Sequence, residues 1–273
     1  AVTNFYGREG TEILEIESEK VTGRLALEVD LGDATMLYAS YTRGFKPGGS
    51  NLTFGREAVV SPIVVLPVFE EETIDAYELG LKTDLADGRV RLNGAAFFYT
   101  YDNLQYQATD PEVFQGGVGN IPESEIMGAE LELGAFLSDS LIFDARLAWL
   151  DTEITASHLA LDNVASEAAT NALLAQGLNL FSPEVERARA AQIADVQGNE
   201  LAKTPGFTAN LALTYSHALA AWGDIEGTPS YPHRRHFRHR IFNNPLTDES
   251  DGYDNVDLLV RLLPGDAKWR LEL

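Results

Sequence analysis

The feature that most limits how this chain can fold is side-chain alternation, held over stretches of about ten residues and repeated along the sequence. Leu25, Leu27, Val29 and Leu31 share one face of a stretch whose other face carries Arg24, Ala26, Glu28 and Asp30. Thr35, Leu37, Ala39, Tyr41 and Arg43 alternate with Met36, Tyr38, Ser40 and Thr42. Tyr77, Leu79 and Leu81 oppose Glu78, Gly80 and Lys82; Met127, Ala129, Leu131 and Leu133 oppose Gly128, Glu130 and Glu132. Leu141, Phe143, Ala145, Leu147 and Trp149 stand against Asp144 and Arg146, and Ala209, Leu211, Leu213 and Tyr215 against Asn210, Ala212, Thr214 and Ser216. Val256, Leu258, Val260 and Leu262, then Trp269, Leu271 and Leu273, repeat the theme. A period of two belongs to strands, not helices.

The connections are sorted by length. Short turns at Gly32-Asp33-Ala34, Ala86-Asp87-Gly88, Ser138-Asp139-Ser140, Trp222-Gly223-Asp224 and Pro264-Gly265-Asp266 alternate with long passages over residues 46–71, 107–122, 156–203 and 243–252. The third passage is Ala-rich and reads as short helix over 166–176 and 183–196. A long aromatic-rich strand over 89–106 and weaker alternation over 12–19 and 231–242 bring the total to about eleven strands. A soluble β-sandwich also alternates, because two sheets hide their apolar faces against each other. It requires neither such long strands nor loops sorted onto one end. A transmembrane β-barrel requires both: about 9–11 tilted residues cross the hydrocarbon, and short periplasmic turns alternate with long extracellular loops. The expected fold is therefore all-β, an antiparallel transmembrane β-barrel segment.

Composition removes other classes. A net charge of -22 leaves no basic footprint for nucleic acid, and the absence of cysteine excludes disulfides and thiolate metal sites. No apolar run is long enough for a membrane helix; the passage over residues 63–69 is short and flanked or broken by Pro62 and Pro67. The start lacks the basic and apolar segments of a signal peptide, and Ala1 is not Met. We read the chain as a piece of a longer one. No nucleophile elbow or zinc signature is found, so no enzyme activity, cofactor or metal site is assigned.

Four segments, in order, carry a family resemblance: TMLYASYTRGFKPGGSN (35–51), FEEETIDAYELGLKTDLADGRVRLNGAAFFYTYDNLQ (69–105), GNIPESEIMGAELEL (119–133) and TPGFTANLALTY (204–215). Together they resemble the C-terminal barrel of TonB-dependent outer-membrane receptors, closest to the iron-complex or siderophore branch. The resemblance implies about 11 strands of a roughly 22-stranded barrel in the bacterial outer membrane. It implies uptake of a ferric siderophore or similar scarce nutrient, contact with outer-membrane lipid, and energy from the TonB complex, reached through an N-terminal region that is not here. Residues 1–273 are expected to form a partial barrel domain without plug or terminal strands, closing only within a longer chain. A passive porin-like channel and a soluble β-sandwich binding module are the competing classes.

One basic cluster stands out in the acidic chain, His233 to Arg240. Arg234, Arg235, His236, Arg238 and His239 are the candidate ligand-binding residues, an anion site facing the lumen or outer mouth. The histidines suit a metal or haem as well, and lumen arginines paired with acids are the purely structural reading. Tyr38, Tyr41, Tyr99, Tyr101, Tyr106 and Trp149 are expected in an interfacial girdle. Gly44, Gly48 and Gly49 mark a strand exit; with no helix start after them they make no phosphate cradle. Asp162, Glu167, Glu184, Glu186, Asp195 and Glu200 in the third long passage lack calcium-loop spacing and read as a solvated face.

Overall fold

The computed structural model describes residues 2–3, 11–12, 19–51, 68–109, 116–265 and 269–273. Its main strands are β1 (Gly23–Asp30), β2 (Thr35–Lys46), β3 (Glu72–Leu85), β4 (Val90–Thr109), β5 (Gly116–Ser138), β6 (Leu141–Ile154), β7 (Phe207–Ala218), β8 (Asp224–Arg234), β9 (Asp257–Leu263) and β10 (Leu271–Glu272). They form one antiparallel meander in which each strand pairs with its neighbours in sequence, and Tyr253–Asp254 pairs with β8 to complete an 11-stranded sheet. Among the described residues β1 and β10 do not pair with each other, so the sheet is not closed.

Because the period is two and the register holds across the sheet, like meets like. Tyr41 stands opposite Tyr77, Tyr77 opposite Phe98 and Phe98 opposite Met127. One step along, Ala39, Leu79, Ala96, Ala129 and Trp149 form the next row. These apolar rows are not covered: Leu25 is 75% exposed, Leu79 62% and Leu258 63%. The sandwich reading needs a second layer on that face, and none of the described residues supplies it. Above the rows the same face turns acidic at Asp75, Glu125 and Glu153, and below them lie the short turns. Between Asp75 and Ala86, strand β3 presents Tyr77, Leu79, Leu81, Thr83 and Leu85, a band of the length a tilted membrane strand needs.

The opposite face is polar and carries its own aromatics. The Tyr38 ring lies over Gly80, where an added Cβ would come within 2.2 Å of it, and its hydroxyl donates to Glu78 at 2.6 Å. Phe97 lies over Gly128 in the same way and stacks on Tyr99, ring centroids 4.8 Å apart. Arg91 and Asp84 pair at 2.8 Å and Arg146 approaches Glu132 at 3.9 Å. Tyr38, Tyr99 and Tyr101 thus leave the expected girdle; they share the inward face because they align with Gly80, Ala76 and Ile74 rather than with Tyr77. Tyr41 and Trp149 face outward as expected.

Several loop expectations change. The expected passage over 107–122 is mostly ladder: β4 and β5 continue as a protruding hairpin with Tyr106 opposite Gly119 and Gln107 opposite Val118. Gly119 makes room for a close neighbour, since a Cβ there would meet the Tyr106 ring at 3.0 Å. The third passage holds α1 (Asn163–Leu174) and α2 (Pro183–Ala190). The second helix ends before 196 because Ile193–Asp195 pairs instead with Leu159–Leu161. The strand expected over 231–242 begins earlier, at Asp224; Gly227 and Pro229 hid its start, and Phe237–Arg238 breaks away to pair with Glu249–Ser250. In the first passage, Gly49–Ser50 pairs with Val68–Phe69 and 52–67 lie outside the described residues. Of the strand expected over 12–19, Glu12 lies in a short pair, Thr11–Glu12 against Val2–Thr3, and 13–18 lie outside the described residues.

The packed core sits in the loops, not in the sheet. Ile121 and Ile154, at the outer ends of β5 and β6, pack with Ala160, Val196, Leu201 and Ile241, all at most 8% exposed. A sheet whose outer face meets lipid and whose inner face is wet has little to bury within itself; its long-loop rim builds the core.

Candidate functional site

Over that core the long-loop rim holds a cavity of about 670 Å³. Tyr106, Gln107 and Thr109 of the protruding hairpin form one side; Lys203, His239 and Phe242 form the other. Its volume lies in the range of sites that enclose a small molecule, about 300–1,000 Å³.

Three sets of bonds hold the walls. The first centres on Arg240. Its Nη1 donates to Asp162 Oδ1 at 2.6 Å, its Nε to Asp248 Oδ1 at 2.8 Å and its Nη2 to Thr247 Oγ1 at 3.1 Å. Asp248 is fully buried and also accepts from the Asn244 amide at 3.0 Å and the Thr247 hydroxyl at 2.9 Å. Asp162 caps α1 as well, accepting from the Val164 and Ala165 amides at 3.1 Å. One guanidinium therefore ties the start of α1 to the fourth long passage. The second set is reciprocal: Asn199 Nδ2 donates to Ile241 O at 2.8 Å, and Asn243 both accepts from the Glu200 amide at 2.8 Å and donates to Glu200 O at 3.0 Å.

The third set joins hairpin to loop. The Tyr106 hydroxyl and His158 Nε2 lie 2.8 Å apart, with the rings edge-on at 5.3 Å. Burial pushes the Tyr106 phenol up to about 12. Burial also lowers the His158 imidazole, against the pull of the Asp195 carboxylate. Asp195 is itself lowered by the Ser157 hydroxyl and by the Gln197 and His158 amides. This pair lies beyond the apolar band, several residues above Phe98 on β4.

The five candidate residues of the basic cluster do not converge. Arg234 ends β8 stacked against Phe237 and Tyr253, 4.6 and 4.8 Å from the ring centres, with its Nε buried and unpartnered. Arg235 is exposed, its amide bonded to Phe207 O at 2.9 Å, and His236 is half-buried. Arg238 is neutralised by Glu249. His239 lies edge-on to Phe237 at 5.0 Å and is the member of the five that lines the cavity. Among the described residues no group of three or more His, Asp or Glu side chains is placed to hold a metal ion. In the third long passage Glu167, Glu184 and Glu186 are exposed as expected, but Asp162 is 7% exposed and structural. Neither Lys203 nor the Tyr106–His158 contact is legible in the sequence, since both depend on segments far apart in the chain.

An uncovered apolar band, a polar inner face and loops sorted to one rim define the wall of an outer-membrane β-barrel. A family model described as "TonB dependent receptor-like, beta-barrel" matches residues 3–273, and the chain belongs to that family. The family is one of receptors and transporters of the bacterial outer membrane, not of enzymes. Among curated relatives, the chain is 28% identical over 119 residues to the metal-pseudopaline receptor CntO of Pseudomonas aeruginosa, covering 44% of this chain and 15% of that protein. It is 29% identical over 121 residues to the probable TonB-dependent siderophore receptor PiuA of Acinetobacter baumannii, with the same coverage of 44% and 15%. Among solved structures, PiuA from Acinetobacter baumannii superposes with a TM-score of 0.60 at 18% identity, covering 90% of this chain and 30% of that one. The ferric yersiniabactin uptake receptor FyuA from Yersinia pestis gives 0.60 at 17% identity, covering 89% and 30%. The chain thus spans under a third of the length of these relatives.

Proposed function

We propose that this chain forms part of the wall and extracellular recognition surface of a receptor that takes up a ferric siderophore or a similar scarce metal chelate, with energy from the TonB complex. The observation that carries the reading is the rim cavity, built on a packed core where the long loops meet and large enough for part of a chelate. The resemblance to receptors named for metal-pseudopaline and ferric yersiniabactin supports the choice of cargo. In this reading residues 1–273 are a partial barrel domain, and strands and a plug outside them complete the wall and the gate; the unpaired edges of β1 and β10 among the described residues support that.

The test is uptake of iron-55-labelled chelates by cells carrying the full-length receptor, with and without a working TonB complex. Energy-dependent uptake lost with either component is the expected result. Uptake that continues without TonB indicates a passive channel and refutes the proposal.

A further inference from the structure

Lys203 occupies a position that packing alone does not explain. It lines the rim cavity, and its backbone lies at φ +64°, the left-handed region where Gly or Asn is the unstrained choice. Its neighbours fix that conformation. Leu201 is buried in the core and donates its amide to the Thr152 hydroxyl at 3.0 Å. Thr204 Oγ1 donates to Leu201 O at 2.6 Å, and the Lys203 amide donates to Arg238 O at 2.6 Å. A side chain kept in a strained backbone conformation beside a cavity is where a binding role is sought.

Charge points the same way. Three arginines near the cavity are committed: Arg240 to Asp162 and Asp248, Arg238 to Glu249, and Arg234 to two aromatic rings. No hydrogen bond or ion pair among the described residues reaches the Lys203 ammonium, in a chain with 42 acidic side chains to offer. An ammonium on a flexible stem donates in three directions and suits a single anionic oxygen rather than a forked partner.

We propose that Lys203 is the specificity-determining cation of the rim cavity, contacting an anionic oxygen on a chelate of net negative charge. This rests on the receptor reading above. It also explains why a residue other than Gly is kept at this φ: the side chain is retained for the ligand at some cost to the fold.

The test uses the full-length receptor in cells and two iron-55-labelled probes, ferric citrate, which is anionic, and a neutral ferric trihydroxamate. For the anionic probe, Lys203→Met and Lys203→Gly raise the KM of uptake about tenfold with little change in the maximal rate, and Lys203→Arg keeps it within about threefold. Neutral-probe uptake is unchanged in all variants. Lys203→Gly removes the strain, so its barrel is as heat-resistant on gels as the wild type and its loss of affinity is not misfolding. A Lys203→Gly receptor with wild-type KM for the anionic probe, or a wild type that prefers the neutral probe, overturns the assignment alone. A wild type that takes up neither overturns the receptor reading together with it.

Discussion

Arg240→Ala is the substitution with the largest consequence expected outside the barrel wall. Arg240 is 21% exposed at its side chain, Asp162 10% and Asp248 0%, so water screens this triad weakly. Removing the guanidinium leaves Asp248 as a buried carboxylate with the Thr247 hydroxyl and Asn244 amide as donors, while Asp162 keeps its helix-cap bonds. Breaking a buried pair in this way costs about 3–5 kcal/mol, and the surviving donors place the cost at the lower end, about 3 kcal/mol. Asp162, Arg240 and Asp248 lie in the long-loop rim outside the strands of the main sheet, so the loss is local opening rather than global unfolding. About 3 kcal/mol corresponds to roughly a hundredfold faster amide exchange, since about 1.4 kcal/mol is tenfold. Hydrogen-exchange mass spectrometry on the full-length receptor reads it at the Ser166, Val196 and Asp248 amides, with the β3 and β4 amides as the unchanged control. Adding Asp248→Asn to Arg240→Ala removes the orphaned charge and recovers most of the protection. A single variant that exchanges like wild type, or a double variant no better than the single, refutes the buried-charge argument.

Leu79→Arg puts a charge into the lipid-facing row and costs about 2–4 kcal/mol of barrel stability, whereas Glu130→Arg on the wet face costs far less; urea titration of the folded receptor in vesicles separates them. Equal costs would mean that the faces are assigned the wrong way round. Gly128→Ala lowers folded yield more than Gly80→Ala: a Cβ at Gly128 meets both the Phe97 ring at 2.5 Å and the Trp149 backbone oxygen at 2.7 Å, whereas at Gly80 the three nearest atoms all belong to the movable Tyr38 side chain. Band shift on unheated gels ranks the two. For pH, burial depresses the His158 imidazole below its usual value of about 6.5, so its contribution is present above that pH and is lost as pH falls through the folded value. Protection of residues 157–196 therefore weakens as pH falls below the usual histidine value of about 6.5, beyond intrinsic exchange, and His158→Gln abolishes that dependence. The depressed Asp195 carboxylate acts only below the usual carboxylate range, about pH 4, which leaves the higher window to His158.

The meander was legible because it is written locally. Rows such as Leu79–Ala96–Ala129 follow from a two-residue period plus short turns such as Ala86-Asp87-Gly88, and each turn fixes the register of the next strand. What failed were positions where local chemistry has two meanings. Gly116, Gly117 and Gly119 read as loop, yet all three pair in the hairpin ladder, and Gly119 is what lets the Tyr106 ring approach. The face of an aromatic was equally ambiguous: Tyr38 and Tyr41 lie three residues apart on one strand and face opposite sides, so only the parity of each strand separates girdle from lumen.

The site resisted reading for a different reason. A run such as His233 to Arg240 announces its charge but not how that charge is used, and in a chain carrying 42 acids many basic groups find carboxylate partners on folding. Arg238 and Arg240 are consumed by Glu249, Asp162 and Asp248, which lie 11, 78 and 8 residues away. Lys203, which lines the cavity, has no basic neighbour in sequence to draw notice; it is identified by its place on the cavity wall, a forced backbone conformation and, among the described residues, the lack of a carboxylate partner. In a strongly acidic barrel the density of positive charge in the sequence is thus a poor guide to ligand contact. The better guide is a positive charge that the fold declines to neutralise, and that can be seen only once every competing carboxylate has been placed.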